Sequence, residues 1–182
     1  AAPSTGRYFR RVLAPSGDGG AFGSDRSGQL PLWLFDRASA TTSQLTERPD
    51  TAVFSASWRA DGKQIVAVQR NAKGHNLIEI DLASQRQRVL SKPDDKIMFG
   101  VYGVDPDSYL FAVRTHGNNT QLIQVEHPAT PQETRKVLVT GIALAQVDPA
   151  TRSVYYTSNA ADGLFSRDLD SGAEHLVIPN IT

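Results

Sequence analysis

The sequence contains no cysteine, which excludes disulfides, thiol catalysis, iron–sulfur clusters and cysteine zinc sites. It also has no excess charge, since 19 basic and 19 acidic residues give a formal net charge of zero. Nucleic acids and anionic membranes reward a basic excess, so we expect neither as a partner of this domain. No apolar run approaches the roughly 20 residues that cross a bilayer.

The sequence also lacks a recognisable start signal and any sustained helical pattern. Residues 1–6 have neither the basic start nor the apolar stretch of a signal peptide, and we interpret them as a tail or linker. No window longer than about ten residues keeps an apolar stripe at helical spacing. Of the 182 residues, 40% are hydrophobic, which is enough for a folded domain with a core.

A short apolar run closed by an acid recurs four times along the chain. The copies read LWLFD at 32–36, LIEID at 77–81, LIQVE at 122–126 and LFSRD at 164–168, at spacings of 45, 45 and 42 residues. We interpret the closing acids as turn starters: Asp36, Asp81, Glu126 and Asp168. Such a period is typical of repeat architectures, and a sandwich would not make its strands resemble one another at a fixed interval.

The flanks of each copy repeat as well. Polar turns and β-like runs precede each copy, and a fourth short strand follows it, so each repeat reads as four strands joined by turns. Four strands in about 40–50 residues is the length of a propeller blade. We therefore predict an all-β chain of four blade-like antiparallel units, a partial or half propeller, with blades at about 7–49, 50–93, 94–140 and 141–179, and a tail at 180–182.

Two segments carry a family resemblance. The stretch SWRADGKQIVA at 57–67 resembles the "SPDGKxIAF" signature of PD40 repeats, and SDRSG at 24–28 followed by LWLFD at 32–36 resembles their "SDRSGxxxLWLxD" half. The chain thus resembles TolB-like β-propellers, well in its first two repeats and less so in the later two. Its sequence most resembles the periplasmic sensor part of membrane-anchored winged-helix regulators of the CadC type.

The resemblance implies a function without choosing one partner. A sensor or protein-interaction domain of a bacterial envelope signalling protein would be periplasmic, with its DNA-binding and membrane segments outside this sequence. One alternative is a TolB-like envelope scaffold. A second is the propeller cap of a prolyl-oligopeptidase-like serine peptidase, whose nucleophile would lie elsewhere in the gene.

Catalytic and metal-binding patterns are missing from the sequence. There is neither a G-x-S-x-G nor an S-x-x-K motif, and the four histidines, His75, His116, His127 and His175, are not spaced as ligands. We therefore expect no enzyme activity, no cofactor and no metal site. Trp33 and Trp58 stand in apolar strands, so we interpret them as packing residues rather than ligand stackers.

One set of turn residues is a candidate binding surface. In a propeller, the turns between the second and third strands gather on one face, and loops on a rigid scaffold tend to carry binding residues. This turn is rich in hydrogen-bond donors, which favours a protein or acidic ligand. The candidates are Arg26, Arg70, Arg114, His116, Asn118, Asn119 and Asn159.

Four complete four-stranded repeats leave the faces of the first and last blades without a neighbour. Closed propellers often protect themselves by completing the last blade with a strand from the other terminus, and this sequence shows no such strand. We therefore expect either a fragment or two copies that associate as a homodimer. Light scattering on dilute protein that returned a stable monomer would contradict the dimer.

Overall fold

The computed structural model describes residues 8–24, 30–46, 52–72, 74–115, 119–159 and 161–181, with side chains from Arg11 onward. Within these residues every regular element is a β-strand, and no helix long and apolar enough to span a membrane is found. The strands form four antiparallel four-stranded sheets, and each sheet takes its strands in chain order. The predicted all-β architecture of four blade-like units is confirmed.

The chain divides into two compact units, 1–95 and 96–182. The N-terminal unit holds sheets 1 and 2. Sheet 1 is made of β1 (Tyr8–Leu13), β2 (Gly19–Ser24), β3 (Leu32–Asp36) and β4 (Thr41–Gln44). Sheet 2 is made of β5 (Ala52–Trp58), β6 (Gln64–Asn71), β7 (Gly74–Asp81) and β8 (Gln87–Val89).

The C-terminal unit repeats this plan in sheets 3 and 4. Sheet 3 is made of β9 (Ile97–Tyr102), β10 (Ser108–Arg114), β11 (Thr120–Glu126) and β12 (Thr134–Thr140). Sheet 4 is made of β13 (Ile142–Asp148), β14 (Ser153–Ser158), β15 (Gly163–Asp168) and β16 (Glu174–Pro179). Each sheet therefore brings its own four strands, as the repeat predicts.

The acids that close the third strands build the turns that follow them. The Asp36 carboxylate accepts hydrogen bonds from the amide and the hydroxyl of Ser39, both at 2.7 Å. Asp81 does the same with Ser84, and Asp168 with Ser171. These hydrogen bonds lower the pKa of all three carboxyl groups. The turn role is confirmed for the aspartates, whereas Glu126 precedes a longer connection and instead accepts from the Thr134 hydroxyl.

The sequence pattern predicts fourth strands at 43–46 and 88–91, but Thr46 and Ser91 lie just beyond β4 and β8. The hydroxyl of Thr46 accepts the amide of Leu32 at 2.9 Å, and the Ser91 hydroxyl accepts the amide of Leu77 at 3.0 Å. Each hydroxyl thus accepts a hydrogen bond from a buried amide at or near the start of the third strand. Without it, that amide would need a carbonyl acceptor from a neighbouring strand. The fourth strands β4 and β8 thus end at Gln44 and Val89, two residues earlier than the sequence pattern predicts.

Each unit has an apolar core between its two sheets. In the N-terminal unit the core includes Ala21 and Leu32 of sheet 1 and Ile65 and Ile80 of sheet 2. Trp58 packs against this core, and its indole N–H donates to the Val12 carbonyl oxygen at 3.2 Å, so its predicted packing role is confirmed.

The C-terminal core lies between sheets 3 and 4. Its members include Leu110, Leu122, Val154 and Tyr156, each at most 5% exposed. Because side chains alternate between the two faces of a strand, one face of each sheet supplies these residues.

A charged clamp joins the two sheets of the C-terminal unit at one end. Arg152 reaches Asp105 of the β9–β10 turn through two nitrogens, at 3.0 and 3.1 Å, and Asp170 of the β15–β16 turn at 2.8 and 2.9 Å. These bidentate contacts raise the pKa of Arg152 and lower the pKa of Asp170. Three turns are therefore tied together by one guanidinium.

Replacing Arg152 with glutamine should lower the melting temperature at pH 7, because both carboxylates lose their charged partner. Asp170 has a folded-state pKa below its ordinary 3.8, so its contribution is present above that pH and is lost as the pH falls through the folded-state pKa. The gap between variant and wild type should therefore close in acid, and shrink in 1 M salt. Calorimetry from pH 7 to pH 2 measures it, with Arg37→Gln as an exposed-arginine control. A gap that does not change with pH would contradict the clamp.

Candidate functional site

Four of the seven predicted binding residues lie in the described part of the chain: Arg70, Arg114, Asn119 and Asn159. The other three, Arg26, His116 and Asn118, lie outside the described residues.

Arg70 belongs to a compact cluster at one end of sheet 2. It stands opposite His75 in the β6–β7 ladder, and its guanidinium carbon lies 5.6 Å from the centre of the Phe54 ring on β5. The His75 ring meets the same phenylalanine edge-on, with ring centroids 5.9 Å apart. Phe54 thus sits between a cation and an imidazole, and we call these three residues the Arg70 cluster.

The Arg70 cluster has the chemistry of a recognition point. Arg70 is exposed, and no carboxylate pairs with it among the described residues. A cation held over an aromatic face gains about 0.5–1 kcal/mol at an exposed site, which restricts the side chain before a ligand arrives. The guanidinium fork then keeps its donors for a carboxylate or another acceptor of a partner.

In the C-terminal unit the corresponding turns are partly occupied by internal contacts. Arg114 is exposed at the end of β10, and the carbonyl oxygen of Asn119 accepts the Thr115 amide at 2.7 Å. The backbone amide of Asn159 donates to the Gly141 carbonyl oxygen at 2.6 Å, and its side-chain amide donates to the Ile142 carbonyl oxygen at 3.4 Å. Asn159 therefore ties β14 to the start of β13, while Arg114 is an exposed cation at the end of β10.

Sequence reasoning missed Phe54, the residue that organises the Arg70 cluster. β5 departs from regular pairing with β6 between Phe54 and Ser57, and Ser55 has a positive φ of 57°. A β-bulge re-aims side chains, so the alternation of β5 could not say which face Phe54 takes. The one available signal was an aromatic residue in a first strand beside a turn that carries arginine.

A second site, also missed by sequence reasoning, lies between sheets 3 and 4. It is a cavity of about 310 Å³ that we call the Tyr156 cleft, lined by Leu138, Val139, Thr140, Tyr156, Ser158, Ala161, Phe165 and Glu174. The rings of Tyr156 and Phe165 stack in it at a centroid distance of 5.6 Å. Glu174 accepts a 2.7 Å hydrogen bond from Arg167 at its edge. Burial, and then the negative charge of Glu174, raise the pKa of Tyr156 to about 12, so its hydroxyl stays protonated at neutral pH.

Within the part of the chain that the structure describes, no three His, Asp or Glu side chains gather as metal ligands would. The carboxylates of the Arg152 clamp are committed to a guanidinium. The described sites therefore offer cations, aromatic faces and one carboxylate for recognition.

The chain matches no protein-family model and no curated protein sequence. Solved structures do resemble it. TolB from Acinetobacter baumannii is 14% identical with a TM-score of 0.78, over 96% of this chain and 44% of that one. An oligogalacturonate lyase from Vibrio parahaemolyticus is 14% identical with a TM-score of 0.71, over 96% of this chain and 54% of that one.

A putative dipeptidyl aminopeptidase IV from Bacteroides ovatus is also similar, at 14% identity and a TM-score of 0.66, over 96% of this chain and 35% of that one. This chain spans less than two thirds of the length of each of these three structures. At such identities the likeness shows the fold alone, which is that of a TolB-like β-propeller.

Proposed function

We propose that this chain is a non-catalytic partner-binding domain of a bacterial envelope protein, and that the Arg70 cluster is part of its contact surface. The observation that carries the proposal is the arginine held over Phe54 with His75 against the same ring. Arginine and aromatic residues are enriched among the side chains that dominate binding energy at interfaces. A partner with an acidic patch would complement this cation.

The envelope location draws support from the fold likeness to TolB and from the repeat signatures at 24–36 and 57–67. The more specific proposal is the periplasmic sensor part of a membrane-anchored winged-helix transcriptional regulator. It rests on the sequence resemblance of LWLFD at 32–36 and of the closing RDL at 167–169 and VIP at 177–179. A winged helix and one membrane span in the parent gene would support it.

The two alternative functions predict different segments in the parent gene. A TolB-like scaffold would carry a signal peptide and bind a peptidoglycan-associated lipoprotein. A peptidase cap would be followed by a hydrolase domain with the serine nucleophile. The proposal that this chain has no activity of its own is supported by its lack of a nucleophile motif, whereas its structural neighbours include a lyase and a peptidase.

A second copy of the chain is also a proposed partner. Sheet 1 turns Leu13 and Phe35, 80% and 40% exposed, away from sheet 2. The shift of 45 residues relates Phe35 and Trp33 to Ile80 and Ile78, which in sheet 2 are covered by sheet 1. The outer face of sheet 1 therefore has the character of a face that receives a neighbouring sheet, and homodimer formation would cover it.

Photo-crosslinking in the periplasm tests the Arg70 surface. A benzoylphenylalanine placed at Arg70 should form an adduct with a partner that mass spectrometry identifies, while the same probe at Arg86, beyond the other end of β7, should not. With that partner purified, Arg70→Ala should weaken binding about tenfold and Arg86→Ala should leave it unchanged. Adducts at position 86 alone, or equal affinities for the two variants, would overturn the contact surface.

A further inference from the structure

The side chains of the Tyr156 cleft differ in type from those at the equivalent positions of sheet 2, where that sheet packs on sheet 1. A shift of 87 residues relates Phe165 to Ile78 and Arg167 to Ile80, and the cross-strand pairs relate Tyr156 to Ala67 and Glu174 to Gln87. In the N-terminal unit Ala67, Ile78 and Ile80 pack as an aliphatic core between its two sheets. Two sheets can therefore pack together without aromatic and charged side chains at the positions of Tyr156, Phe165, Arg167 and Glu174.

The replaced side chains leave space instead of filling it. The cleft volume of about 310 Å³ lies at the lower end of the range of small-molecule sites. Its apolar lining residues are Leu138, Val139 and Phe165, and its lining residues with polar side chains are Thr140, Tyr156, Ser158 and Glu174. A cavity of this volume can hold one long side chain or a ligand of similar size.

Charge decides which ligand fits. Among the described lining residues Glu174 is the one charged group, because the Tyr156 hydroxyl stays protonated at neutral pH. Arg167 occupies one oxygen of Glu174, at 2.7 Å. The Tyr156 hydroxyl also hydrogen-bonds this carboxylate. An ionised carboxylate has about four acceptor positions, so a further donor can still be accommodated. The cation beside the cleft, Arg167, is already paired with Glu174. An anion would have to compete with that pair, whereas a cation meets the remaining acceptor positions of the carboxylate and the aromatic rings.

We propose that the Tyr156 cleft binds a guanidinium-bearing side chain, that is, an arginine of a basic peptide. The flat guanidinium can stack on an aromatic ring while donating to the Glu174 carboxylate, and its alkyl stem lies along Leu138 and Val139. This inference rests on the proposed function only in assigning the arginine to a partner protein. The cleft itself lies in sheets 3 and 4 and does not include the Arg70 cluster.

The test uses the whole chain and two small probes, N-acetyl-arginine methylamide and its citrulline analogue, which has the same shape without the charge. In a ¹H–¹⁵N NMR titration the arginine probe should shift the amides of Tyr156, Ser158, Phe165 and Glu174, and it should bind at least tenfold tighter than citrulline. Equal affinities for the two probes, shifts confined to other parts of the chain, or no shifts up to millimolar probe would overturn the proposal.

Two variants separate the carboxylate from general effects on the fold. Glu174→Gln should weaken arginine binding about tenfold, and Glu126→Gln, in the same unit outside the cleft, should not. Phe165→Leu keeps an apolar wall while removing the ring, and it should weaken the binding of both probes. If Glu174→Gln bound arginine as well as wild type while keeping its melting temperature, the assignment would be wrong. Because the probes need no protein partner, failure here is distinguishable from failure of the crosslinking at Arg70.

Discussion

Replacing Ile65 with alanine is expected to lower the free energy of unfolding by about 2–5 kcal/mol. Ile65 is 0% exposed and packs between sheets 1 and 2, with Ala21, Leu32 and Ile80 in the same cluster. The substitution removes three carbons from a close-packed interior whose two sheets cannot collapse freely onto the space. The cost therefore combines lost transfer free energy with that of the remaining cavity.

The matched control is Ile178→Ala, the same chemical change on β16 at a side chain that is 48% exposed. A surface substitution away from special features usually changes stability by less than about 0.5 kcal/mol. Urea unfolding is followed by far-UV circular dichroism, which reports on the sheets of both units, because the two tryptophans lie in the N-terminal unit and would not report on β16. If both variants lost the same stability, the apolar contact between sheets 1 and 2 would not be the main source of stability in that unit.

Replacing Gly19 with alanine is expected to destabilise the chain by about 3 kcal/mol, at the upper end of the range for overpacking. A Cβ atom at Gly19 would stand 2.2 Å from the carbonyl oxygen of Phe35 and 3.3 Å from its carbonyl carbon. Both are backbone atoms of β3, so no side-chain rotation relieves the contact. The pair Gly19 and Asp36 in the β2–β3 ladder would have to separate.

Gly62→Ala is the control for this prediction. Gly62 has a φ of +70° and no atom within 4 Å of an added Cβ, so alanine there is penalised only for its left-handed backbone conformation. That cost is about 1–2 kcal/mol. Urea midpoints and slopes for both variants give the comparison. A loss at Gly19 no larger than at Gly62 would mean that β3 can move away from β2 without consequence.

Much of the architecture follows from local pattern. The run at 32–36 matches β3 at both ends, and the other three copies fall within β7, β11 and β15. Alternating apolar residues bounded by turn residues specify a strand from its own few neighbours, and hairpin connections make consecutive strands pair. Each Asp–Ser turn is specified within four consecutive residues, as Asp36 and Ser39 show. The repeat thus predicted four sheets and the order of their strands.

The candidate sites depended on information that the pattern does not contain. The sequence located Arg70 but not Phe54, because a bulge in β5 sets the direction of that ring. It also assigned no role to Tyr156 or Glu174, which stand 18 residues apart and meet only after β14, β15 and β16 have paired. Residues that depart from their own repeat were the available signal, and they become informative only once the register says which positions are equivalent.

By itself the sequence determined the fold class, the four repeats, the order of the strands and the turns, because these depend on interactions between residues close along the chain. Only the tertiary structure decided which faces meet and which polar groups gather. Arg152 finds Asp105 47 residues away, and Gly19 approaches the carbonyl of Phe35. Such meetings depend on strand register, bulges and the stacking of one sheet on the next. A one-residue change in register would turn every side chain of a strand to the other face, so composition and spacing cannot specify them.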